Sequence, residues 1–313
     1  MALTIRAMAE NDVPSALRLI CSAHPRQVLT EEAMRWSPGT PSRSETRTNL
    51  VAVSDDGTLA GLLRCLLTRD DGGTPQGLSY LASIAPEHLD SGVAALLLEA
   101  AERNFVSRGA RTLLVGAADE AVQTGGDRFR QLAVESGYVL EESHQILELE
   151  LARLSRDPAP PRLAEPVELR PLSSYRNDPR RIYEIDRLTT ADEPGLRLEF
   201  TPYEEWLSGT WHHPLADLEL SAVVLVSGAP AGIVCFTSDG QTRLESSMTG
   251  TLRRYRGFGL ARHAKHSALL RAAELGFTHA CTSNHADNAP MLSVNRRLGY
   301  EAVGSEGVYV KQM

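Results

Sequence analysis

The sequence predicts a mixed α/β fold built from two similar domains in tandem. Three observations carry this prediction. The 313 residues exceed the usual length of one domain. A proline-rich segment divides the chain nearly in half, and the two halves repeat one order of strand-like and helix-like segments. With 42% hydrophobic and 23% charged residues, each half has the composition and length to bury its own core.

The division of the chain is set by the segment from Arg153 to Pro166, which contains four prolines. Proline continues neither a helix nor a central strand, so this segment predicts a linker. The predicted domains are therefore residues 1–155 and 166–313, joined by residues 156–165.

The repeat begins in the same way in both halves. Each opens with a short strand ending in arginine, at Arg6 and at Arg170, followed by a helix-like stretch. Two strands around a turn come next; the turns are Asp56-Gly57 in the first half and Gly228-Ala229-Pro230 in the second.

The later elements keep the same spacing. A long helix starts at Gly92 or Gly259 and ends before Gly109 or Gly276, and both pairs are 167 positions apart. A strand, a helix closing on Gly-Tyr and a final strand complete each half. These matched positions indicate a tandem duplication.

The overall charge narrows the functional classes. The formal net charge is −8, whereas a general nucleic-acid binder is normally basic, so no nucleic-acid partner is expected. An acidic surface instead attracts cationic partners such as amines. The four cysteines are scattered and form no metal-ligand spacing, so we expect no metal. No leader-like or membrane-spanning apolar stretch is seen, so we expect a cytoplasmic protein without a membrane partner.

The segment from Thr249 to Ala261 has the pattern of an anion site. A strand-like run leads through a glycine-containing turn into a helix, whose first backbone N–H groups and dipole attract negative charge. Gly257 and Gly259 allow the backbone to approach a pyrophosphate closely, and nearby arginines add positive charge.

The string Arg256-Gly257-Phe258-Gly259-Leu260-Ala261 resembles motif A of the GCN5-related N-acetyltransferases (GNATs). The run from Asn288 to Tyr300, which closes on Leu-Gly-Tyr, resembles motif B of the same family. The resemblance implies an acetyl-CoA site and a tandem GNAT-like fold, each domain a mixed, mostly antiparallel sheet flanked by helices. Rossmann and P-loop patterns do not fit, because the loop has no Gly-Lys-Ser/Thr and no suitably placed acidic residue.

The resemblance also implies which residues bind the donor. The pantetheine arm would pair with a strand edge whose backbone N–H binds the acetyl oxygen, and the pyrophosphate would lie on the glycine loop. The predicted cofactor-binding residues are Gly250, Thr251, Leu252, Arg256, Gly257, Phe258, Gly259, Leu260, Ala261, Asn288 and Asn295.

The catalytic predictions rest on three regions. Glu245, on the strand before the loop, is the candidate general base, although a solvated strand residue is an alternative interpretation. Asp192 and Glu193 are candidates for binding the cationic acceptor; a polar loop is the alternative. Asn295 stands where many family members carry an acidic tyrosine. It is a candidate for orienting the sulfur, since an amide does not act as an acid near neutral pH.

The first half departs from this pattern at the same places. Leu89 and Asp90 stand where the second half has an arginine and a glycine, and a carboxylate repels pyrophosphate. Gly126 and Ala133 stand at the counterparts of the two asparagines. We therefore predict a degenerate first domain that supports the second.

Other polar and aromatic residues receive structural interpretations. His263 and His266 share a helix face with no completing ligand, and with Lys265 beside them we interpret that face as solvated. Trp206 and Trp211 are predicted to pack in the core, although an acceptor pocket that also includes His212 and His213 is an alternative. Tyr300 is likewise predicted to pack in the core. Tyr309 is a remote candidate for the group that protonates the departing CoA thiolate.

The predicted function is acetyl-CoA-dependent N-acetylation of a small-molecule amine by direct attack on the thioester. Three alternatives stay open: a non-catalytic acetyl-CoA-binding or regulatory protein, an O-acyl transferase, and a mycothiol-synthase-like enzyme. The acceptor loops vary freely on this fold, so the sequence does not identify the amine.

Overall fold

The computed structural model describes residues 3–36, 45–69, 73–156, 161–191, 194–195 and 200–313. Within these residues, twelve strands form one sheet that carries helices on both faces. The mixed, mostly antiparallel architecture flanked by helices agrees with the sequence prediction. The candidate residues Asp192 and Glu193 and part of the proline-rich linker lie outside the described residues.

The two halves contain the same elements in the same order. The first half consists of β1 (Leu3–Ala7), α1 (Val13–Ala23), α2 (Glu31–Arg35), β2 (Thr46–Ser54), β3 (Leu59–Arg69), β4 (Pro75–Ile84), α3 (Val93–Ser107), β5 (Thr112–Ala118), α4 (Gly126–Glu135) and β6 (Val139–Glu150). The second half consists of β7 (Val167–Pro171), α5 (Arg180–Thr190), α6 (Tyr203–Trp206), β8 (Ala222–Val226), β9 (Ala229–Ser238), β10 (Arg243–Thr251), α7 (Leu260–Glu274), β11 (His279–His285), α8 (Ala289–Arg297) and β12 (Glu301–Gln312).

The helices that open the halves form because one of their faces is apolar. In α1 the buried residues Val13, Ala16, Ile20 and Ala23 recur every three or four positions, which places them on one side of an α-helix. That side packs against Val51 and Leu62 of the sheet. The hydrophobic spacing therefore fixes both the helix and the face that it covers.

The strand order reveals an exchange between the halves. It runs β1-β2-β3-β4-β5-β12-β6-β11-β10-β9-β8-β7. The last strand of the second half, β12, lies beside β5 of the first half, and the last strand of the first half, β6, lies beside β11 of the second. Neither half closes its own sheet, so the two predicted sheets are one continuous sheet. The predicted chain boundary falls between β6 and β7.

The exchange also mixes the hydrophobic cores. Tyr309 of β12 is buried in the core under α3 and α4 of the first half. Leu147 and Leu149 of β6 are buried in the core under α7 and α8 of the second half. Because burial of apolar surface is the main favourable term in folding, each half depends on the other for its stability.

Among the described residues, no helix is long and apolar enough to cross a membrane.

Candidate functional site

A gap opens in the sheet of the second half where β10 leaves β11. The two parallel strands pair only over residues 243–245 and 279–281. Immediately afterwards β10 carries a bulge between Ser246 and Met248 in its pairing with β9. The strands then diverge around a gap of about 130 Å³, whose walls include Thr249, Lys265 and Thr282.

A groove leads away from this gap along β10. Its volume is about 280 Å³. The polar wall is formed by β10 around Gly250 and Thr251, and the apolar wall includes Leu260 of α7 and Met291 and Val294 of α8. The groove therefore suits an extended ligand with both amide and methylene groups.

The glycine loop closes one end of the groove. After β10, a 3-10 turn at Arg253–Tyr255 leads to Gly257 and Gly259, whose φ angles are 84° and 83°. Residues with side chains rarely adopt this left-handed conformation, although a Cβ at either position would meet no atom within 4 Å. Gly259 is the N-cap of α7, so the free N–H groups of the first helical turn face the end of the groove and favour an anion.

The structure brings most of the predicted donor-binding residues together. The predicted residues that line the groove are Gly250, Thr251, Arg256, Gly257, Leu260, Ala261 and Asn288. Arg256 Nε donates a hydrogen bond of 2.9 Å to the Thr251 carbonyl, which ties the loop to β10. Asn288 Oδ1 accepts from the Met291 N–H at 3.3 Å and thereby caps α8.

Two predicted donor-binding residues point elsewhere. The Leu252 N–H donates to the Ala231 carbonyl at 2.9 Å, so it is already occupied within the sheet. Phe258 is 37% exposed, and its carbonyl accepts from the Arg162 N–H at 2.8 Å. Because N–H groups alternate between the two sides of a strand, that of Gly250 also points to β9, whereas that of Thr251 points away from β9 and is the candidate for an acyl oxygen.

Asn295 belongs to a buried polar chain beside the gap. Its side chain is 0% exposed; Oδ1 accepts from Lys265 Nζ at 2.7 Å, and Nδ2 donates to Asn284 Oδ1 at 2.6 Å. Lys265 Nζ also lies 4.8 Å from the centre of the Tyr300 ring. The amide thus connects α7 to β11.

The interpretation of this face of α7 as solvated is wrong. Lys265 is 1% exposed, and burial lowers its pKa to about 7. His266 is also buried, and its Nε2 lies 2.6 Å from the Ser155 carbonyl, which ties α7 to the start of the linker. The repeat contains a signal for this outcome, because the position 167 residues before Lys265 is Leu98, a residue typical of a core.

Glu245 lies on the opposite face of the sheet from Lys265, in what we call the seam pocket. This pocket, of about 120 Å³, is formed where the halves meet, by Glu245 of β10, Cys281 of β11, Glu306 of β12, and His24 and Arg26 of the first half. Burial raises the pKa of Glu245. Burial, and then the charge of Glu245, raise the pKa of Glu306.

The seam pocket adjoins the gap, because both are lined by Thr282 and Ser283. Strand exchange also places His144 of β6 in the gap, with its ring centre 5.4 Å from that of His285. No local pattern around His144 predicts this position, since it depends on a pairing between distant strands. The first half therefore contributes side chains to the site of the second.

The aromatic residues before β8 pack as the sequence predicts. Trp206 and Trp211 are buried in a core with Ile182 and Val223. Tyr300 is buried beneath Lys265. The two tryptophan rings support α5 and α6 against the sheet.

The corresponding gap of the first half is filled. Here β4 and β5 pair over residues 76–79 and 112–115 and then diverge in the same way. Gln123, 3% exposed, spans the divergence: its Nε2 donates to the Ala82 carbonyl at 2.9 Å, and its Oε1 accepts from the Ala118 N–H at 3.3 Å. His24 Nε2 also donates to the Ala82 carbonyl, at 3.1 Å. The strand edge on which a ligand would pair is already hydrogen-bonded.

The loop of the first half is closed as well. Leu89 packs so closely on Gly125 that a Cβ there would lie 2.5 Å from a Leu89 methyl group. Asp90 forms an ion pair with Arg128 of α4 across the mouth of the loop. The two residues that break the motif in the sequence thus place a methyl group against Gly125 and an exposed carboxylate at the mouth of the loop.

Comparisons with known proteins identify the fold. Neither a protein-family model nor a curated protein sequence matches the chain. A tandem GNAT protein from the clavulanic acid biosynthesis pathway superposes with a TM-score of 0.72 and 19% identity, over 99% of this chain and 98% of that chain. A GCN5-related N-acetyltransferase from Sphaerobacter thermophilus gives a TM-score of 0.70 and 20% identity, over 99% and 95%.

A third structure contains a fungal GCN5-related glucosamine N-acetyltransferase region within a multi-domain β-N-acetylglucosaminidase. It superposes with a TM-score of 0.69 and 14% identity, over 99% of this chain and 38% of that chain. The chain therefore has the fold of the tandem GNAT proteins.

Proposed function

We propose that the chain is an N-acyltransferase that takes an acetyl group from acetyl-CoA and transfers it to a small-molecule amine in the second half. The observation that carries the proposal is the open groove running from the glycine loop into the gap between β10 and β11. The filled groove and gap of the first half provide the contrast within the same fold.

The donor binds along the groove in this account. Its pyrophosphate lies at the N-terminus of α7, where Gly257 and Gly259 leave the backbone accessible. The pantetheine arm follows β10 against the apolar wall formed by Leu260 and Val294. The acetyl group then enters the gap, whose volume of about 130 Å³ suits a short acyl chain.

The chemistry follows from this placement. The edge N–H of Thr251 on β10 donates to the thioester oxygen and stabilises the negative charge that develops as the amine attacks. No covalent acetyl-enzyme is required, because the amine and the thioester meet directly. Holding them together supplies much of the acceleration.

The amine reaches the thioester from the seam pocket, and Glu245 removes its proton. A carboxylate with a raised pKa is a stronger base near neutral pH than an ordinary one. The acidic lining formed by Glu245 and Glu306 also favours a cationic acceptor. Asp192 and Glu193, the other candidates for binding the cationic acceptor, stay predictions from the sequence.

Thiol release from acetyl-CoA, measured over a panel of small amines, tests the function. A matched pair of variants tests its location: Gly259→Glu and Gly92→Glu introduce the same strained side chain at the N-caps of α7 and α3, where the φ angles are 83° and 78°. We expect amine-dependent release in the wild type and in Gly92→Glu, and its loss in Gly259→Glu. In Glu245→Gln, kcat should fall about 10²- to 10⁴-fold with little change in KM.

A non-catalytic acetyl-CoA-binding protein is the second candidate, favoured by the amide at Asn295 in place of an acid. It predicts acetyl-CoA binding without thiol release for any amine. A product cleaved by hydroxylamine would instead indicate an ester and thus an O-acyl transferase.

A further inference from the structure

Lys265 is a buried cation at the edge of the gap that the reaction described above does not use. It lies on α7 and lines the gap together with Thr282 and Asn284. Burying an ammonium ion is costly unless acidic groups compensate it. Among the described residues that line the gap, none is acidic.

The duplicated half shows that the fold does not need a lysine here. The counterpart of Lys265 is Leu98, which is buried in the core of the first half. The counterpart of Asn295 is Ala133, also buried in that core. An aliphatic pair fills this space in one half and a lysine–amide pair in the other, so packing alone does not account for the polar pair.

The orientation of the ammonium group leaves donors for the gap. A lysine ammonium has three N–H groups. One donates to Asn295 Oδ1 at 2.7 Å, and the Tyr300 ring covers one side with its centre 4.8 Å from Nζ. The amide thus holds Nζ in place without neutralising it.

We propose that Lys265 is the general acid that protonates the sulfur of the departing CoA. This proposal rests on the acyl-CoA function proposed above, because it assigns a role at the same site.

The step balances without any other reactant. The amine nitrogen forms a bond to the thioester carbon, and the C–S bond breaks with its electron pair on sulfur. The Lys265 ammonium gives one proton to the sulfur and becomes a neutral amine, while the proton of the attacking nitrogen passes to Glu245. Exchange with solvent restores both groups, and the products are an amide and CoA thiol.

The acidity of Lys265 fits this role. Burial lowers its pKa to about 7, and an acid is most effective when its pKa lies near the working pH. The titratable groups that face it are Tyr300 beneath and His144 and His285 across the gap. Burial raises the pKa of Tyr300, so that phenol stays neutral.

The ionisation of bound CoA tests the proposal without an acceptor. An ordinary thiol has a pKa of about 8.5. Beside Lys265, the thiolate of bound CoA should form at a pH at least about one unit lower than in Lys265→Met, a tenfold change in acidity. Ultraviolet absorbance of the thiolate, recorded against pH for saturated complexes, measures this difference.

Lys311→Met is the matched control. Lys311 of β12 places its Nζ 5.3 Å from the centre of the Tyr138 ring, which is the counterpart of Tyr300 and lies in the core of the first half. This variant should leave the titration of bound CoA unchanged. If Lys265→Met does not fold, Lys265→Leu replaces it, because Leu98 occupies the same helix position in the first half.

Kinetics with any amine that supports turnover give a second test. Lys265→Met should lower kcat about 10²- to 10⁴-fold with the KM for acetyl-CoA retained. The wild-type kcat should decline above about pH 7, as Lys265 loses its proton, and this decline should be absent from the variant.

The two proposals fail in different ways. Equal thiol titrations in the wild type and in Lys265→Met, with CoA bound to both, would overturn the role of Lys265 and leave the acyl-CoA function standing. If the wild type binds no CoA, both proposals are overturned.

Discussion

The two halves of this chain have the same element order and differ in what fills the space between their diverging strands. In the second half, β10 and β11 enclose an open gap that leads into a groove. In the first half, Gln123 and His24 hydrogen-bond to the strand edge at the equivalent place. The fold thus supplies the divergence in both halves, and a few side chains decide whether it is a site.

The residues beneath the space between the strands also differ between the halves, in their polarity. The first half has an aliphatic pair, Leu98 and Ala133, where the second has Lys265 and Asn295. The first half therefore has a filled gap and no polar pair, whereas the second has an open gap and a polar pair. This correlation is expected if the polar pair serves a ligand in the gap.

The largest expected effect tests the strand exchange. Tyr309→Ala should lower the free energy of unfolding by about 3–5 kcal/mol, because it removes a buried ring. Hydrogen exchange should show the loss of protection in α3 and α4 of the first half, although Tyr309 belongs to the second. Leu149→Ala is the reciprocal change and should loosen α7 and α8. The exchange would be contradicted if each substitution loosened the half to which its residue belongs.

An intermediate effect tests the cost of the polar pair. The double substitution Lys265→Leu and Asn295→Ala copies the first half, and at neutral pH it should raise the free energy of unfolding by about 1–4 kcal/mol while abolishing turnover. Denaturant unfolding and the thiol-release assay measure the two quantities.

The pH dependence of this gain has a definite sign. The folded state lowers the pKa of Lys265 from 10.5 to about 7, so between these values the unfolded chain binds more protons. Wild-type stability should therefore rise with pH across this window, and the advantage of the double variant should shrink. An advantage that is constant from pH 7 to pH 10 would contradict the burial of a charged lysine.

The smallest expected effect tests the plug of the first half. Gln123→Ala removes the bridge between the Ala82 carbonyl and the Ala118 N–H and should cost about 1–3 kcal/mol. It should not create a second acetyl-CoA site, because Leu89 and Asp90 still close the loop. Calorimetry and denaturant unfolding check both statements; a second site in this variant would show that the plug alone blocks binding.

Much of the fold was predictable because duplication doubles each signal. The matched positions of Gly92 and Gly259 indicate equivalent helix starts, and the structure has an N-cap at each. The glycine loop was predictable for a local reason, since strand, turn and helix are adjacent in the sequence. The exchange of β6 and β12 was not, because pairing between distant strands leaves no local pattern.

The site was predictable only where it is local. Gly257 and Asn288 lie on the groove as expected from short motifs. Lys265 was misinterpreted, since a lysine on a helix with other polar residues is normally solvated and only the comparison with Leu98 indicates burial. His144 reaches the gap through strand exchange and has no signal in its own neighbourhood.

Isothermal calorimetry of acetyl-CoA binding to the intact protein counts the sites per chain and so shows whether the second half alone binds the donor. We expect one site, retained in Gly92→Glu and lost in Gly259→Glu. Two sites would contradict the closure of the first half by Gln123, Leu89 and Asp90. No binding would contradict the proposal that the groove of the second half holds acetyl-CoA.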